Sequence, residues 1–145
     1  MNKNYVVIML FNEECNKILL VKRNKKPYKN CWNGIGGKIE EGETPIECAK
    51  RECMEETSIS LSNPKLLVTY LYPETNVINC NTKLNVIYDF VKEKNVIDNE
   101  EGHYEWKDIS FVMDPYNKEI AGLSNLNQFV KEILDVENIQ KFYEE

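Results

Sequence analysis

The chain has 145 residues, a formal net charge of −6 at pH 7 and 42% hydrophobic residues, which predicts one domain over residues 1–145 with a core of ordinary size. The acidic balance argues against a nucleic-acid polymer as the main partner, because such proteins present a basic surface to the phosphates. The longest apolar runs fall short of a membrane-spanning helix, and the short apolar stretch near the start favours a strand over a signal peptide.

The first third of the chain predicts a β-hairpin followed by a glycine-rich segment. Residues 5–11 are apolar and rich in β-formers, which is typical of a buried strand. After a polar turn at 12–16, Lys17–Arg23 predicts the second strand of the hairpin. A basic loop covers 24–30, and the segment 31–37 contains Trp32 and three glycines, which leave room for close approach of the backbone.

A helix with well-marked ends is predicted next. Thr44 predicts the N-cap, Pro45 suits the first helical position, and Glu47 completes a capping box. The predicted helix runs to about Thr57. Ser58 then occupies a position where a left-handed backbone is expected, and serine should cost about 1 kcal/mol there relative to glycine.

The predicted helix has two faces of different chemistry. At about 100° per residue, Ile46, Ala49 and Cys53 form an apolar face. The opposite arc carries three carboxylates, Glu52, Glu55 and Glu56. Clustered carboxylate oxygens suit hard divalent cations such as Mg²⁺, and a bound Mg²⁺ can carry a phosphate-rich substrate and activate a water. We therefore expect the helix to pack on a sheet with its acids facing a cleft.

The second half of the chain predicts three further strands, at 66–72, 83–91 and 104–110. Residues 75–81 form a polar link between the first two, and 95–102 form an acidic loop before the third. Apolar residues at helical spacing predict a helix over 123–134, and the charged tail 136–145 is left unassigned. Strands on both sides of an acidic helix, with a second helix near the end, predict an α/β sandwich.

The thiols and the single histidine give little indication of chemistry. The cysteines are odd in number and lack a Cys-x-x-Cys pair, which predicts reduced thiols in a cytoplasmic protein; they are Cys15, Cys31, Cys48, Cys53 and Cys80. Cys48 falls near the carboxylate arc, where a small packing residue and an oxidation-sensitive thiol are the two interpretations. His103 has no partner for a metal site, so we expect a surface or modestly buried role.

Residues 36–59 resemble the Nudix box: glycine, five residues, glutamate, seven residues, Arg-Glu, an apolar residue, any residue, Glu-Glu, any residue, glycine and an apolar residue. The matching positions are Gly37, Glu43, Arg51, Glu52, Cys53, Glu55, Glu56, Ser58 and Ile59. Ser58 departs from the pattern, since the family has glycine there. The resemblance implies an α/β/α sandwich around a mixed β-sheet, with the catalytic helix packed on it. It also implies hydrolysis of a nucleoside diphosphate linked to another group.

The resemblance also implies residue roles. The metal-binding carboxylates would be Glu52, Glu55 and Glu56, holding Mg²⁺ or alternatively Mn²⁺. The Gly36 carbonyl would be a further ligand. Arg51 would orient the carboxylates by pairing with Glu43, although an ordinary helix salt bridge would look the same. Glu101 would be the distant-loop acid that serves as metal ligand or general base, with Glu100 as the second choice.

Residues 32–38, Trp-Asn-Gly-Ile-Gly-Gly-Lys, resemble the branch of the family that hydrolyses oxidised purine nucleoside triphosphates such as 8-oxo-dGTP. This implies that Asn33 contacts the base and that Arg23 and Lys38 meet the phosphates. A turn asparagine and a solvated strand end are the alternatives. The animal form of that branch reads the base with a pair of aspartates near the last helix, whereas residues 113–123 offer Asp114 and Glu119 without an adjacent acidic pair.

Two other functions stay open. Pro73, beyond the box, is a weak indication of an ADP-ribose hydrolase. A Nudix domain that binds a nucleotide and regulates without cleavage is the other alternative, but such domains usually lose box carboxylates, and all of them are present here. The expected partner is a small nucleotide, with no nucleic-acid polymer and no membrane, and the oligomeric state is not indicated.

Overall fold

A mixed β-sheet between helices forms the centre of the molecule. The computed structural model describes residues 2–26, 28–75, 80–121 and 125–138. In chain order the elements are β1 (Asn2–Asn12), β2 (Lys17–Arg23), β3 (Trp32–Asn33), β4 (Ile35–Lys38), α1 (Pro45–Thr57), β5 (Lys65–Tyr72), β6 (Asn81–Val91), β7 (Gly102–Asp108), α2 (Ile109–Met113) and α3 (Leu126–Val136). No helix in these ranges has the length and apolar character needed to cross a membrane.

The pairing of β1 determines where the glycine-rich segment lies. One edge of β1 pairs in parallel with β6 along the whole strand. The other edge pairs antiparallel with β2 near Leu10 and with β4 between Tyr5 and Ile8. β5 extends the sheet beyond β6, and β3 and β7 both pair with β2. The register aligns Val6 with Gly37 and Val7 with Gly36.

β1 is buried on both faces, and its side chains alternate between two cores. Val7, Met9 and Phe11 belong to the core that α2 and α3 cover. Val6, Ile8 and Leu10 belong to the core that α1 covers with Cys48, Ala49 and Cys53. The α/β/α sandwich predicted from the sequence is therefore confirmed.

Two buried asparagines connect β1 with its parallel neighbour. Asn12 is 1% exposed; its Oδ1 accepts the N–H of Lys17 at 3.0 Å, and its Nδ2 donates to Glu93 Oε1 at 3.1 Å, just beyond β6. Asn85 in β6 is 3% exposed and donates from Nδ2 to the Tyr5 carbonyl at 2.9 Å. These bonds satisfy polar groups that would otherwise be buried without partners.

The predicted hairpin, the acidic helix and the later strands are present, with differences at their ends. The segment 31–37, which had no assignment, forms β3 and most of β4. The strand predicted over 104–110 stops at Asp108, and Ile109 and Ser110 instead begin α2. The physical reason is the length of β2: its first residue, Lys17, pairs with Asp108, so β7 has no partner beyond that point.

The second predicted helix is shifted along the chain. It begins at Leu126 instead of residue 123 and continues to Val136. Residues 122–124 lie outside the described residues, as do 76–79 of the predicted polar link and 139–145 of the charged tail. α3 packs Phe129, Val130 and Ile133 against the core on the face opposite α1.

Candidate active site

The acidic helix α1 has fixed ends, as predicted. Thr44 Oγ1 accepts the N–H of Glu47 at 3.1 Å, and Glu47 Oε1 accepts the N–H of Thr44 at 2.9 Å, which is the complete capping box. The helix ends at Thr57, and Ser58 takes the left-handed conformation with φ 61° and ψ 18°. With both ends defined, the directions of the side chains between them are set by the helical repeat.

Two glycines in β4 allow close contacts, Gly37 with α1 and Gly36 with β1. A Cβ at Gly37 would fall on the carboxylate of Glu52, and a Cβ at Gly36 would fall on the Val6 carbonyl. A side chain is excluded at Gly36 because it would meet backbone atoms, whereas a side chain at Gly37 would require the flexible end of Glu52 to move. The glycine at 37 determines how near Glu52 lies to the strand.

Arg51 lies among four carboxylates. Its Nε and Nη2 donate to the two oxygens of Glu43 at 2.6 and 2.9 Å. Its Nη1 donates to Glu52 at 3.0 Å and to Glu55 at 3.3 Å, and lies 3.6 Å from Glu40. The two-pronged hydrogen bonding from Arg51 lowers the pKa of Glu43 to about 2. The predicted pairing of Arg51 with Glu43 is thus present.

Glu56 is partly buried between α1 and β7. Its Oε1 accepts the hydroxyl of Tyr104 at 2.9 Å, and its Oε2 has no hydrogen-bond partner among the described residues. Burial raises the pKa of Glu56 to about 8 and also raises the pKa of Glu52. Glu55 differs from both, because its side chain is 59% exposed.

A cavity of about 560 Å³ opens beside β4. Six of the residues predicted for the site lie on its wall: Arg23, Asn33, Gly36, Lys38, Glu52 and Glu101. Arg51, Glu55 and Glu56 are not among its lining residues. Of the two loop acids, Glu101 lines the cavity and Glu100 does not. The structure therefore brings together residues from four separate segments of the sequence.

The cavity also has aromatic walls that sequence reasoning missed. Tyr28, Tyr72 and Phe129 line it together with Tyr5. They come from the basic loop, the end of β5, α3 and β1, respectively. The sequence showed only that each is aromatic, and nothing in it indicated that they line one cavity. Ring faces are suitable surfaces for a nucleobase.

The other residues singled out in the sequence lie elsewhere. Pro73 lines a separate cavity of about 390 Å³. Asp114 and Glu119 do not line the cavity that contains Glu52. His103 is 48% exposed, as expected, and its ring nitrogens lie 2.8 Å from Asp98 and 2.7 Å from Glu105, which raises the pKa of His103. The Cys48 side chain is buried, and burial raises the pKa of its thiol, which favours the packing role over the oxidation-sensitive one.

The donor chemistry at α1 fits a hard divalent cation. Glu52 and Glu56 supply carboxylate oxygens, and a buried oxygen of Glu56 lacks a partner among the described residues. Among the described residues, no three Asp, Glu, Cys or His side chains are already arranged to hold a metal ion. Arg51 takes up oxygens of Glu52 and Glu55, so these side chains would turn when a cation binds.

Residues 1–121 match the NUDIX domain family. The uncharacterized Nudix hydrolase YvcI of Bacillus subtilis is 30% identical over 101 residues, covering 68% of this chain and 62% of that protein. An ADP-ribose pyrophosphatase of Methanocaldococcus jannaschii is 44% identical over 62 residues, covering 43% of this chain and 37% of that protein. An oxidized purine nucleoside triphosphate hydrolase of Mus musculus is 35% identical over 57 residues, covering 39% and 35%. The chain thus matches 35% to 62% of the length of these relatives.

Solved structures share the fold at low sequence identity. The MutT protein of Methanosarcina mazei Go1 superposes with a TM-score of 0.71 at 22% identity, covering 96% of both chains. The NUDIX domain of Shewanella oneidensis NrtR, complexed with ADP ribose, superposes with a TM-score of 0.75 at 17% identity, covering 94% of this chain and 89% of that one. These structures share the fold, and the family match over residues 1–121 shows that the chain belongs to the Nudix family.

Proposed function

We propose that this chain is a Mg²⁺-dependent nucleoside triphosphate pyrophosphohydrolase that acts on oxidised purine nucleotides such as 8-oxo-dGTP. The observation that carries the proposal is that one cavity joins an amide side chain, two cationic side chains and two acids: Asn33, Arg23, Lys38, Glu52 and Glu101. Its volume of about 560 Å³ suits a ligand of nucleotide size. One water is consumed, the bond between the α- and β-phosphates breaks, and the products are a monophosphate and pyrophosphate.

The metal would be held at the acidic face of α1. Its carboxylate ligands would be Glu52, Glu55 and Glu56, joined by Glu101 and the carbonyl of Gly36, and Mn²⁺ would suit the same oxygen donors. Bound there, the cation would neutralise phosphate charge and activate the attacking water. The unpartnered Oε2 of Glu56 supports this assignment, because a buried carboxylate oxygen is unfavourable without a cation or a proton.

The other residues of the cavity would orient the substrate. Arg23 and Lys38 provide positive charge for the phosphate chain. Arg51 donates two hydrogen bonds to Glu43 and one to Glu52, and so fixes the orientation of the Glu52 carboxylate. Glu101 is the acid that would accept a proton from the attacking water, since it lines the same cavity as Glu52.

Base selection would rest on Asn33 and the aromatic walls. Asn33 Oδ1 accepts the N–H of Gly34 at 2.8 Å, which orients the amide so that its NH₂ group is available to donate to a ligand. Guanine and its 8-oxo form present an oxygen acceptor at position 6, whereas adenine presents an amino donor there. The site therefore favours 6-oxopurines, with the rings of Tyr28 and Tyr72 at the cavity wall available for stacking.

Product release from a nucleotide panel tests the proposal. Wild type with Mg²⁺ is given 8-oxo-dGTP, dGTP, dATP, ADP-ribose and diadenosine tetraphosphate. Glu56→Gln should abolish turnover and keep the fold. Glu47→Gln is the matched control, because it makes the same change on the same helix and glutamine preserves the capping box. Pyrophosphate from 8-oxo-dGTP at a much higher kcat/KM than from dGTP is expected, and normal turnover in Glu56→Gln would overturn the metal-site assignment.

A second candidate function is hydrolysis of ADP-ribose. It is favoured by the relative named ADP-ribose pyrophosphatase, at 44% identity over 62 residues. The same acids and cations would act on its diphosphate. Cleavage of ADP-ribose with little activity on 8-oxo-dGTP would support the roles given to the acids of α1 and would refute the role given to Asn33. Tight nucleotide binding with no cleavage of any panel member would favour a regulatory binding domain.

A further inference from the structure

Asn99 links the loop before β7 to the acidic helix through both ends of its amide. Its Nδ2 donates to the main-chain carbonyl of Glu56 at 2.9 Å, and its Oδ1 accepts the main-chain N–H of Glu101 at 2.8 Å. The main chains of Asn99 and Gly102 exchange two hydrogen bonds of 3.2 Å, which closes the turn between them. One side chain therefore connects the backbones of two acids from different elements.

The Tyr104 side chain adds a further contact between α1 and the loop before β7. Its hydroxyl contacts both Glu56 Oε1, at 2.9 Å, and Asn99 Oδ1, at 3.4 Å. Gly102, which ends the turn, packs so closely against β2 that a Cβ there would fall on the Lys22 carbonyl. The turn is thus held beside β2 through Gly102 and through the Glu101 carbonyl, which accepts the Asn24 N–H at 3.1 Å, whereas Asn99 holds it to α1.

We infer that Asn99 is a positioning residue that sets the place of Glu101 relative to Glu56. The inference rests on the proposed function, in which these two acids serve one reaction. A general base must lie within hydrogen-bond reach of the proton that it accepts, and a displacement of about 1 Å can cost about 100-fold in rate. The competing explanation is purely structural, since the Glu56 carbonyl belongs to the last turn of α1 and needs a donor there.

Asn117 provides a closely matched control. Its Nδ2 donates to the Phe111 carbonyl at 2.9 Å and its Oδ1 accepts the N–H of Glu119 at 2.9 Å, which is the same pair of bonds at the end of another helix. Asn117 does not line the cavity that contains Glu52. Asn99→Ala and Asn117→Ala should lower Tm to a similar extent. Asn99→Ala alone should lower kcat, by about 10-fold or more, with KM changed less than about twofold.

A double-mutant cycle separates positioning from general weakening of the fold. If Asn99 acts through Glu101, removal of Asn99 in a Glu101→Gln background should change kcat less than about twofold, since coupled residues are not additive. A further loss equal to that of Asn99→Ala in wild type would overturn the inference. Equal kcat in wild type and Asn99→Ala would do the same.

Amide hydrogen exchange without added metal gives an independent measurement. The Glu101 N–H is bonded to Asn99 Oδ1, so it should be protected in wild type and in Asn117→Ala but exchange rapidly in Asn99→Ala. Unchanged protection in Asn99→Ala would overturn the inference. A wild type that cleaves no nucleotide would refute the proposed function instead, and the exchange experiment would still test whether Asn99 holds the loop.

Discussion

Replacing Arg51 with methionine should destabilise the fold strongly at neutral pH. Methionine keeps an unbranched apolar side chain and removes the guanidinium. It leaves Glu43 and Glu52 without their cation, and their side chains are only 14% and 17% exposed. Breaking a fully buried pair costs about 3–5 kcal/mol, whereas exposed pairs contribute about 0–1 kcal/mol. For these partly exposed groups we expect a loss of about 2 kcal/mol in the free energy of unfolding.

The loss should depend on pH with a defined sign. Hydrogen bonds from Arg51 lower the pKa of Glu43 from 4.5 to about 2 in the folded protein. A lowered folded-state pKa gives stability that is fully present above the unfolded value and is lost as the pH falls toward the folded value. In Arg51→Met the Glu43 pKa rises again. The stability difference between wild type and variant should therefore shrink as the pH falls below about 4.5.

Urea unfolding of both proteins at about pH 7, 5 and 3.5 measures this difference directly. Lys50→Met is the control, because Lys50 is the exposed neighbour on the same helix and its replacement should change the free energy of unfolding by less than about 0.5 kcal/mol. A difference between wild type and Arg51→Met that stays the same at every pH would refute the reasoning. So would a variant as stable as wild type at neutral pH.

Two further substitutions test the ends and the surface of α1. Ser58 has φ 61°, so Ser58→Gly should stabilise the fold by about 1 kcal/mol and raise Tm by about 3 °C in a thermal melt; a large fall in Tm would contradict the left-handed cap. Gly37→Ala places a Cβ on the Glu52 carboxylate and should lower kcat/KM by about 10-fold or more by displacing that acid. Full activity in a folded Gly37→Ala protein would contradict the contact between Gly37 and Glu52.

The centre of the site could be predicted because it is local in sequence. Thr44, Glu47 and Ser58 define the ends of one helix, and within a helix residue spacing converts directly into side-chain direction. The pairing of Arg51 with Glu43, which precedes the helix, is instead predicted by the resemblance to the Nudix box.

The rest of the site depends on contacts between elements that are distant in the sequence. Residue spacing within one element does not predict such contacts. Tyr104 reaches Glu56 from β7, and Phe129 reaches the cavity from α3. The end of β7 at Asp108 is set by where β2 begins. β4 is a strand because β1 offers it an edge, although its own sequence, Ile-Gly-Gly-Lys, has weak β propensity.

The alignment of β1 with β6 cannot come from its apolar residues alone. Both faces of β1 are apolar, so a slip by one residue would exchange one hydrophobic set for another. Asn85 opposes such a slip: a shift of about 3.3 Å would separate its Nδ2 from Asn4 Oδ1 and from the Tyr5 carbonyl, at about 1–3 kcal/mol for a polar group left unpaired. Because β4 pairs with β1, a slip would also shift the Gly36–Gly37 segment relative to β6. One buried amide in β6 thus selects the register between β1 and β6.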